Sequence, residues 1–222
     1  MKLSFSSISN YLNCPRKFHE VNVTYAWRDA SFATAKGEDI HGKIEKYING
    51  TAETLDVPLD ARLKGLMPRY RQMYADQGTE GHDYKVLVEQ QYAVDENFQP
   101  CEWKSPKAIL RGKVDFSIEC PTNMSITDWK SGKMRTNSLQ AHIYGLLVRP
   151  LTPVANLTCS FDYLDKGLGD SYQITDKGLS ITKQIVEKVL EAKDFPERRN
   201  PLCPWCPVKS CSYWKEQARN AK

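Results

Sequence analysis

The spacing of apolar residues switches between helical and strand-like several times along this chain. In SFSSISNYLNCPRKF, Ile8, Tyr11 and Leu12 fall three to four residues apart, which predicts a short amphipathic helix facing inward, capped by Ser7 or a nearby serine. TAKGEDIHGKIEKYING predicts a second helix ending near Asn49-Gly50. LDARLKGLMPRYRQMYADQG predicts a third, with a break or kink at Pro68. The period then changes. YKVLVEQQYAV is a run of β-formers, and AILRGKVDFSIEC alternates. Strict alternation would put Leu110, Gly112, Val114, Phe116 and Ile118 on one face of that strand, and Arg111, Lys113, Asp115, Ser117 and Glu119 on the other. PTN predicts a turn into a partner strand, MSITDWK. NSLQAHIYGLLV returns to helix, capped by Asn137 or Ser138; NLTCSFDYLD and DSYQIT read as strands, and DKGLSITKQIVEKVLEAKDF as a closing helix. This order predicts one α/β domain with a mixed central sheet and helices on its faces.

Composition adds limits. A chain of 222 residues supports one sizeable core. Hydrophobic residues at 41% and charged residues at 26% are ordinary for a soluble protein, and the net charge of +4 is too small to name a partner. No apolar run is long enough for a membrane span, and the start is too polar for a signal peptide, so a cytoplasmic setting is expected. Arg62, Lys64, Arg69 and Arg71 on the third helix fit a solvated face, or a DNA-contacting one.

Two groups of residues carry chemistry. Asp115 and Asp128 lie on adjoining strands of the predicted hairpin, and Lys130 shares a face with Asp128. Carboxylates projected together repel unless a cation sits between them, and Mg2+ or Mn2+ with oxygen ligands resolves this. A lysine beside that metal can hold an attacking water and neutralise charge on a phosphate. Phosphodiester hydrolysis needs its barrier lowered by more than about 15 kcal/mol, so such a combination has a purpose. The second group is CPWCPVKSC, where Cys203, Cys206 and Cys211 are one thiolate short of a four-ligand site. In a reducing compartment these read as metal ligands, whereas the scattered Cys101, Cys120 and Cys159 read as ordinary thiols.

RGKVDF followed by ITDWKSGK resembles motifs II and III of the PD-(D/E)XK nuclease superfamily, and more narrowly its RecB-like branch. The resemblance implies a restriction-endonuclease-like core and a deoxyribonuclease dependent on Mg2+ or Mn2+. It gives catalytic parts to Asp115, Asp128 and Lys130. It gives metal-ligand parts to Asp115, Asp128, the Trp129 carbonyl and His41 in GEDIH. Glu89 in LVEQQY stands where relatives often carry an acid, as an indirect, water-mediated ligand; Glu45, one turn after His41, is second to these or a surface charge. LQAHIYG is similar to a Q-x-x-x-Y motif, whose Gln140 and Tyr144 then orient the site or touch the DNA; Tyr144 packing under the sheet is the plainer alternative.

The resemblance also supplies a fourth cysteine. Iron–sulfur nucleases of this branch, such as CRISPR-associated RecB-like exonucleases and the AddB nuclease domain, pair one N-terminal cysteine with three C-terminal ones around a [4Fe–4S] cluster. NYLNCPRKF offers Cys14, although the C-x4-C gap here is one residue shorter than is common. Zn2+ fits four thiolates equally well on residues alone. Linking residue 14 to residue 203 is worth on the order of 5 kcal/mol in chain entropy. The expected organisation is a single nuclease domain, 1–222, with residues 1–30 and 196–222 as a metal-cluster cap and 31–195 as catalytic core. Trp205, Lys209, Tyr213, Trp214 and Lys215 either line a single-strand path or pack around the cluster. The implied partner is DNA, as single strands or ends. At this length there is no room for a helicase motor, so a helicase, recombinase or CRISPR-adaptation partner is expected, in a bacterial, archaeal or phage-infected cell. The rival expectation is a non-catalytic, zinc-stabilised nucleic-acid-binding module. Digestion polarity, exo or endo action and RNA tolerance are not written in the residues.

Overall fold

The computed structural model describes residues 1–27, 32–132 and 138–214; Asn137 and Lys215 lie outside them. The chain forms two compact units, one of residues 1–31 and 183–222 and one of residues 32–182. No described helix is long and apolar enough to cross a membrane.

The first unit begins with α1 (Phe5–Asn13) and α2 (Pro15–Phe18). Ser4 caps α1 and forms a reciprocal capping box with Ser7, so the cap lies three residues earlier than Ser7 itself. Ile8 is buried, but Leu12 is exposed, contrary to the inward face expected for it. The helix ends at Asn13 because Cys14 is extended, and Pro15 opens α2 at the one helical position where its missing N–H costs nothing. Hydrogen bonds tie the tail to these helices. Arg16 N–H donates to the Pro196 carbonyl (3.2 Å), Arg198 Nη1 to the Leu12 carbonyl (2.6 Å) and Asn200 Nδ2 to the Asn13 carbonyl (3.2 Å). A 3₁₀ turn, Cys203–Trp205, follows.

The second unit holds α3 (Phe32–Ile48), α4 (Ala61–Asp76), six strands and α5 (Ser138–Val148). The strands are β1 (Lys85–Val94), β2 (Pro100–Cys101), β3 (Leu110–Glu119), β4 (Asn123–Lys130), β5 (Asn156–Tyr163) and β6 (Leu168–Gln173). The first residues of α6 (Asp176–Glu191) also belong to it. The sheet order is β2-β1-β3-β4-β5-β6, antiparallel except for the parallel β4–β5 pair, which gives the mixed sheet expected. The two-residue edge strand β2 has no signal in the hydrophobic pattern. Pro68 does not break α4. Leu63 and Met67 bury the helix on one side, while Pro68 and Lys64 are exposed, so the Lys64 carbonyl that loses its partner is open to water. Arg62 pairs with Asp162 (2.7 Å) and Arg71 donates to the carbonyls of Ala52 and Glu53, so two of the four cations on this helix have partners within the fold.

β4 alternates cleanly. Trp129 packs in the core cluster with Ile40 and Ile44 of α3 and Leu63 and Met67 of α4, whereas Asp128 and Lys130 reach Gln140 and Tyr144 of α5. The two helix layers therefore cover opposite faces of the sheet. β3 does not alternate as expected. Phe116 stacks on Trp129 and meets Tyr70 of α4 (centroids 4.4 Å), but a Cβ on Gly112 would point at Leu147 (2.6 Å) and Tyr144 of α5. Positions 112 and 116 would share a face in a regular strand, so the pleat slips between them. Beside this slip, Glu89 of β1 adopts a left-handed φ of 54°. Val88 pairs with Phe116 and Gln90 with Val114, which leaves Glu89 and Asp115 as an unpaired rung between them. A left-handed residue inside a strand costs on the order of 1 kcal/mol or more and marks a place where something other than the ladder decides the backbone.

Candidate active site

The β3–β4 pairing stops at Phe116 and Thr127, one step before Asp115 and Asp128. The strands part there, while β4 continues beside β5 to Lys130. Past the end of the ladder, the Trp129 N–H donates to Asp115 Oδ2 (2.8 Å), and the Trp129 carbonyl accepts from His41 Nε2 of α3 (2.9 Å). The other ring nitrogen, Nδ1, lies 3.3 Å from Asp115 Oδ1 and 3.8 Å from Glu89 Oε1. Burial pulls the His41 pKa down, but the bond to Asp115 and the charges of Asp115, Glu89 and Asp128 outweigh it and raise it to about 9. A protonated His41 is thus the positive charge that these acceptors share.

Asp128 sits on the α5 side. Its Oδ2 accepts from the Tyr144 hydroxyl (3.0 Å) and, at 3.5 Å, faces Gln140 Nε2, which also donates to the Tyr144 oxygen (3.0 Å). Gln140 Oε1 accepts from Lys130 Nζ (3.1 Å), and Lys130 pairs with Asp128 Oδ1 and lies 5.4 Å from the centroid of the Phe161 ring. Burial, then the charge of Asp115, push Asp128 up to about 7 against the pull of Lys130 and Tyr144. Gln140 and Tyr144 are themselves buried, one helical turn apart, so their polar ends aim the carboxylate and the ammonium.

Glu89 pairs through Oε2 with Lys113, a residue that sequence reasoning had left among the polar positions of β3. Nothing in an alternating strand separates a lysine that grips a buried acid from one that meets water. Burial raises the Glu89 pKa, and Lys113 opposes this. The charge of Glu45 also acts on Lys113, which places Glu45 at the margin of the site. Cys159, read as an ordinary thiol, is fully buried on β5; burial and then the charge of Asp128 raise its pKa, so it stays neutral.

Among the described residues, His41, Glu89 and Asp115 form a compact group of potential metal ligands, with ligand atoms within 4.8 Å of one another. The residues fit a divalent cation on independent grounds. Glu89 Oε1 is a buried carboxylate oxygen without a hydrogen-bond partner, and the Trp129 carbonyl faces the same histidine.

The four cysteines of the first unit do not form so tight a group. Cys14, Cys203, Cys206 and Cys211 line one cavity of about 150 Å³, but no three of their sulfurs lie within 4.8 Å of one another. Lys17 and Arg198 line it too, and the Asn200 N–H donates to Cys203 Sγ (3.3 Å). Burial raises the Cys206 and Cys211 thiols. Trp214 lines the cavity with Lys209 over its ring (6.0 Å), and Trp205 is 79% exposed.

A family model described as the PD-(D/E)XK nuclease superfamily matches residues 2–211. The chain belongs to the PD-(D/E)XK nuclease superfamily. Members of this superfamily are nucleases that hydrolyse phosphodiester bonds with a metal ion, and the mixed six-stranded sheet flanked by helices accords with their core. Among solved structures, the nuclease chain is similar to one titled "Crystal structure of SSO0001". The TM-score is 0.53 at 10% identity, over 96% of this chain and 86% of that one, a likeness of fold alone. Comparison with curated proteins finds no match.

Proposed function

We propose that the protein is a RecB-like, Mg2+- or Mn2+-dependent deoxyribonuclease that acts as an exonuclease on single-stranded DNA or DNA ends. The observation that carries this is the meeting of His41, Asp115, Glu89 and the Trp129 carbonyl beside the Asp128–Lys130 pair. His41, Asp115, Asp128 and the Trp129 carbonyl are the residues that would hold the cation, with Glu89 alongside. When bound, the cation supplies Lewis-acid stabilisation of the phosphate charge. Lys130, kept in place by Gln140 Oε1 and Asp128, holds the attacking water and offsets charge on the phosphate. Asp115 is fixed by the Trp129 N–H and Asp128 by Tyr144, so both present a constant geometry.

Cys14, Cys203, Cys206 and Cys211 are the residues that would hold a [4Fe–4S] cluster. What supports a shared site is that all four line one cavity; the cluster rather than Zn2+ comes from the RecB-like resemblance, and four thiolates suit either group. Cations at the cavity wall and the N–H···S bond suit thiolates carrying net negative charge. The cluster's part is structural, as a clasp between the two ends of the chain. A setting in repair, recombination, CRISPR adaptation or phage DNA metabolism follows from the RecB-like reading.

End-labelled single-stranded and duplex DNA, incubated with Mn2+ or Mg2+ and with chelator, tests the activity. Wild type should cut only with metal, and Asp115→Ala and Lys130→Ala should not cut. Equal activity of all three sinks the enzyme reading. Protein purified anaerobically should be brown, absorb near ~400 nm and carry about four irons per chain. Colourless protein with one zinc removes the cluster, and unchanged iron in Cys14→Ala removes Cys14 from it.

A further inference from the structure

Among the described residues, two lysines flank the site, and only Lys130 belongs to the D-x-K strand. Lys113 lies two residues before Asp115 on β3 and pairs with Glu89 Oε2. The lysine side chain is 47% exposed and the glutamate side chain 5%, so this pair has one buried end. An acid with no task beyond solubility would face water in a relaxed strand. The Glu89 side chain instead is buried at a left-handed φ, with Oε1 accepting no hydrogen bond and 3.8 Å from His41 Nδ1.

The same division recurs at Asp115, which gives Oδ2 to the Trp129 N–H and leaves Oδ1 at His41. Asp128 differs, since Oδ2 accepts from Tyr144 and Oδ1 pairs with Lys130. Asp115 and Glu89 are each held by one oxygen and turn the other towards His41, and for Glu89 the holder is Lys113. We infer that Lys113 is a positioning residue, which grips Glu89 Oε2 so that Oε1 is presented to the cation site shared with His41 and Asp115. The inference rests on the metal-dependent nuclease reading.

Electrostatics makes it testable through a sign. An ammonium near a cation site repels the metal, so deleting a spectator lysine tightens metal binding. Deleting a residue that holds a ligand weakens it, as loss of outer partners commonly does by about 10- to 100-fold. Mn2+ binding to wild type, Lys113→Met, Lys113→Arg, Glu89→Gln and the Glu89→Gln/Lys113→Met double variant is measured without DNA, by titration calorimetry and by the paramagnetic resonance signal of free Mn2+. Lys113→Met should weaken Mn2+ about 10-fold and Lys113→Arg should recover most of that. Lys113→Met should add nothing once Glu89 is Gln. On DNA, kcat should fall with KM unchanged. Lys113→Met leaves a buried carboxylate unpaired and should melt somewhat lower in chelator, so Glu89→Gln and the double variant, which lack that charge, supply the same Mn2+ readout. Mn2+ binding by Lys113→Met as tight as wild type or tighter, or additive losses in the double variant, overturns the inference alone. Failure of wild type to bind Mn2+ more tightly than Asp115→Ala overturns the reading beneath it as well.

Discussion

Tyr144→Phe isolates what the helix behind the sheet does for Asp128. The substitution keeps the ring and its volume and removes one hydroxyl, which donates to Asp128 Oδ2 (3.0 Å) and accepts from Gln140 Nε2 (3.0 Å). All three residues are buried, so water cannot replace the hydroxyl. A hydrogen bond to a charged acceptor contributes about 1.5–3 kcal/mol, and an orphaned buried N–H costs about 1–3 kcal/mol. Two responses limit the sum. Gln140 Nε2 can close its 3.5 Å approach to Asp128, and Asp128, already at about 7, can take a proton. A net loss of about 2–3 kcal/mol remains, which for a chain of this size lowers Tm by roughly 4–12 °C. Asp128 also loses its aim, so kcat should fall about 10- to 100-fold while KM for DNA is unchanged. Melting by circular dichroism and steady-state cleavage of end-labelled DNA check both. A Tm within about 1 °C of wild type, or a raised KM at constant kcat, refutes the reasoning; the second result means that the hydroxyl touches the strand.

Gly112→Ala places a Cβ 2.6 Å from Leu147 Cδ1, and should cost about 1–3 kcal/mol in a denaturant titration, with a smaller cost when Leu147 is already Ala in a double-mutant cycle; equal stability of Gly112→Ala and wild type contradicts the packing. Glu89→Gly removes a buried carboxylate and a left-handed non-glycine residue, so metal-free protein should gain about 1 kcal/mol while Mn2+ binding weakens; a lower Tm in chelator counts against the strain. Metal uptake should release protons and strengthen from pH 6 to pH 9, since His41 and Asp128 start at about 9 and about 7; calorimetry in buffers of different ionisation heat reads the proton count, and a pH-independent affinity refutes it. Without metal the sign for His41 reverses. Its folded pKa is raised, so its contribution to stability is complete below its unfolded value near 6.5 and is lost as pH rises through about 9, and the chelated protein should melt lower at pH 9.5 than at pH 6.5.

The helices and the larger strands were legible because burial there follows the residue periodicity. The hairpin was legible because Phe116, Ile118, Ile126 and the PTN turn agree with one another. The pleat slip at Gly112–Phe116 was not, since a strand's alternation says nothing of a neighbouring residue at left-handed φ. The persistence of α4 through Pro68 was missed for a similar reason: whether a lost carbonyl bond matters depends on which side of the helix meets water. The Lys113–Glu89 pair joins residues 24 positions apart across two strands, and only their register reveals it.

The sequence alone determined which atoms are available: two aspartates and a lysine at the end of a hairpin, a histidine on a helix, a glutamine and tyrosine one turn apart, and four cysteines near the two termini. Periodicity and the covalent spacing of side chains are local, and they survive reading in one dimension. Tertiary structure decided which group holds each acid oxygen, and that Asp115 and Glu89 each turn one towards His41. That depends on where β3 parts from β4, where β1 is strained and which face α5 covers, and these are set by burial and packing between segments far apart in the chain.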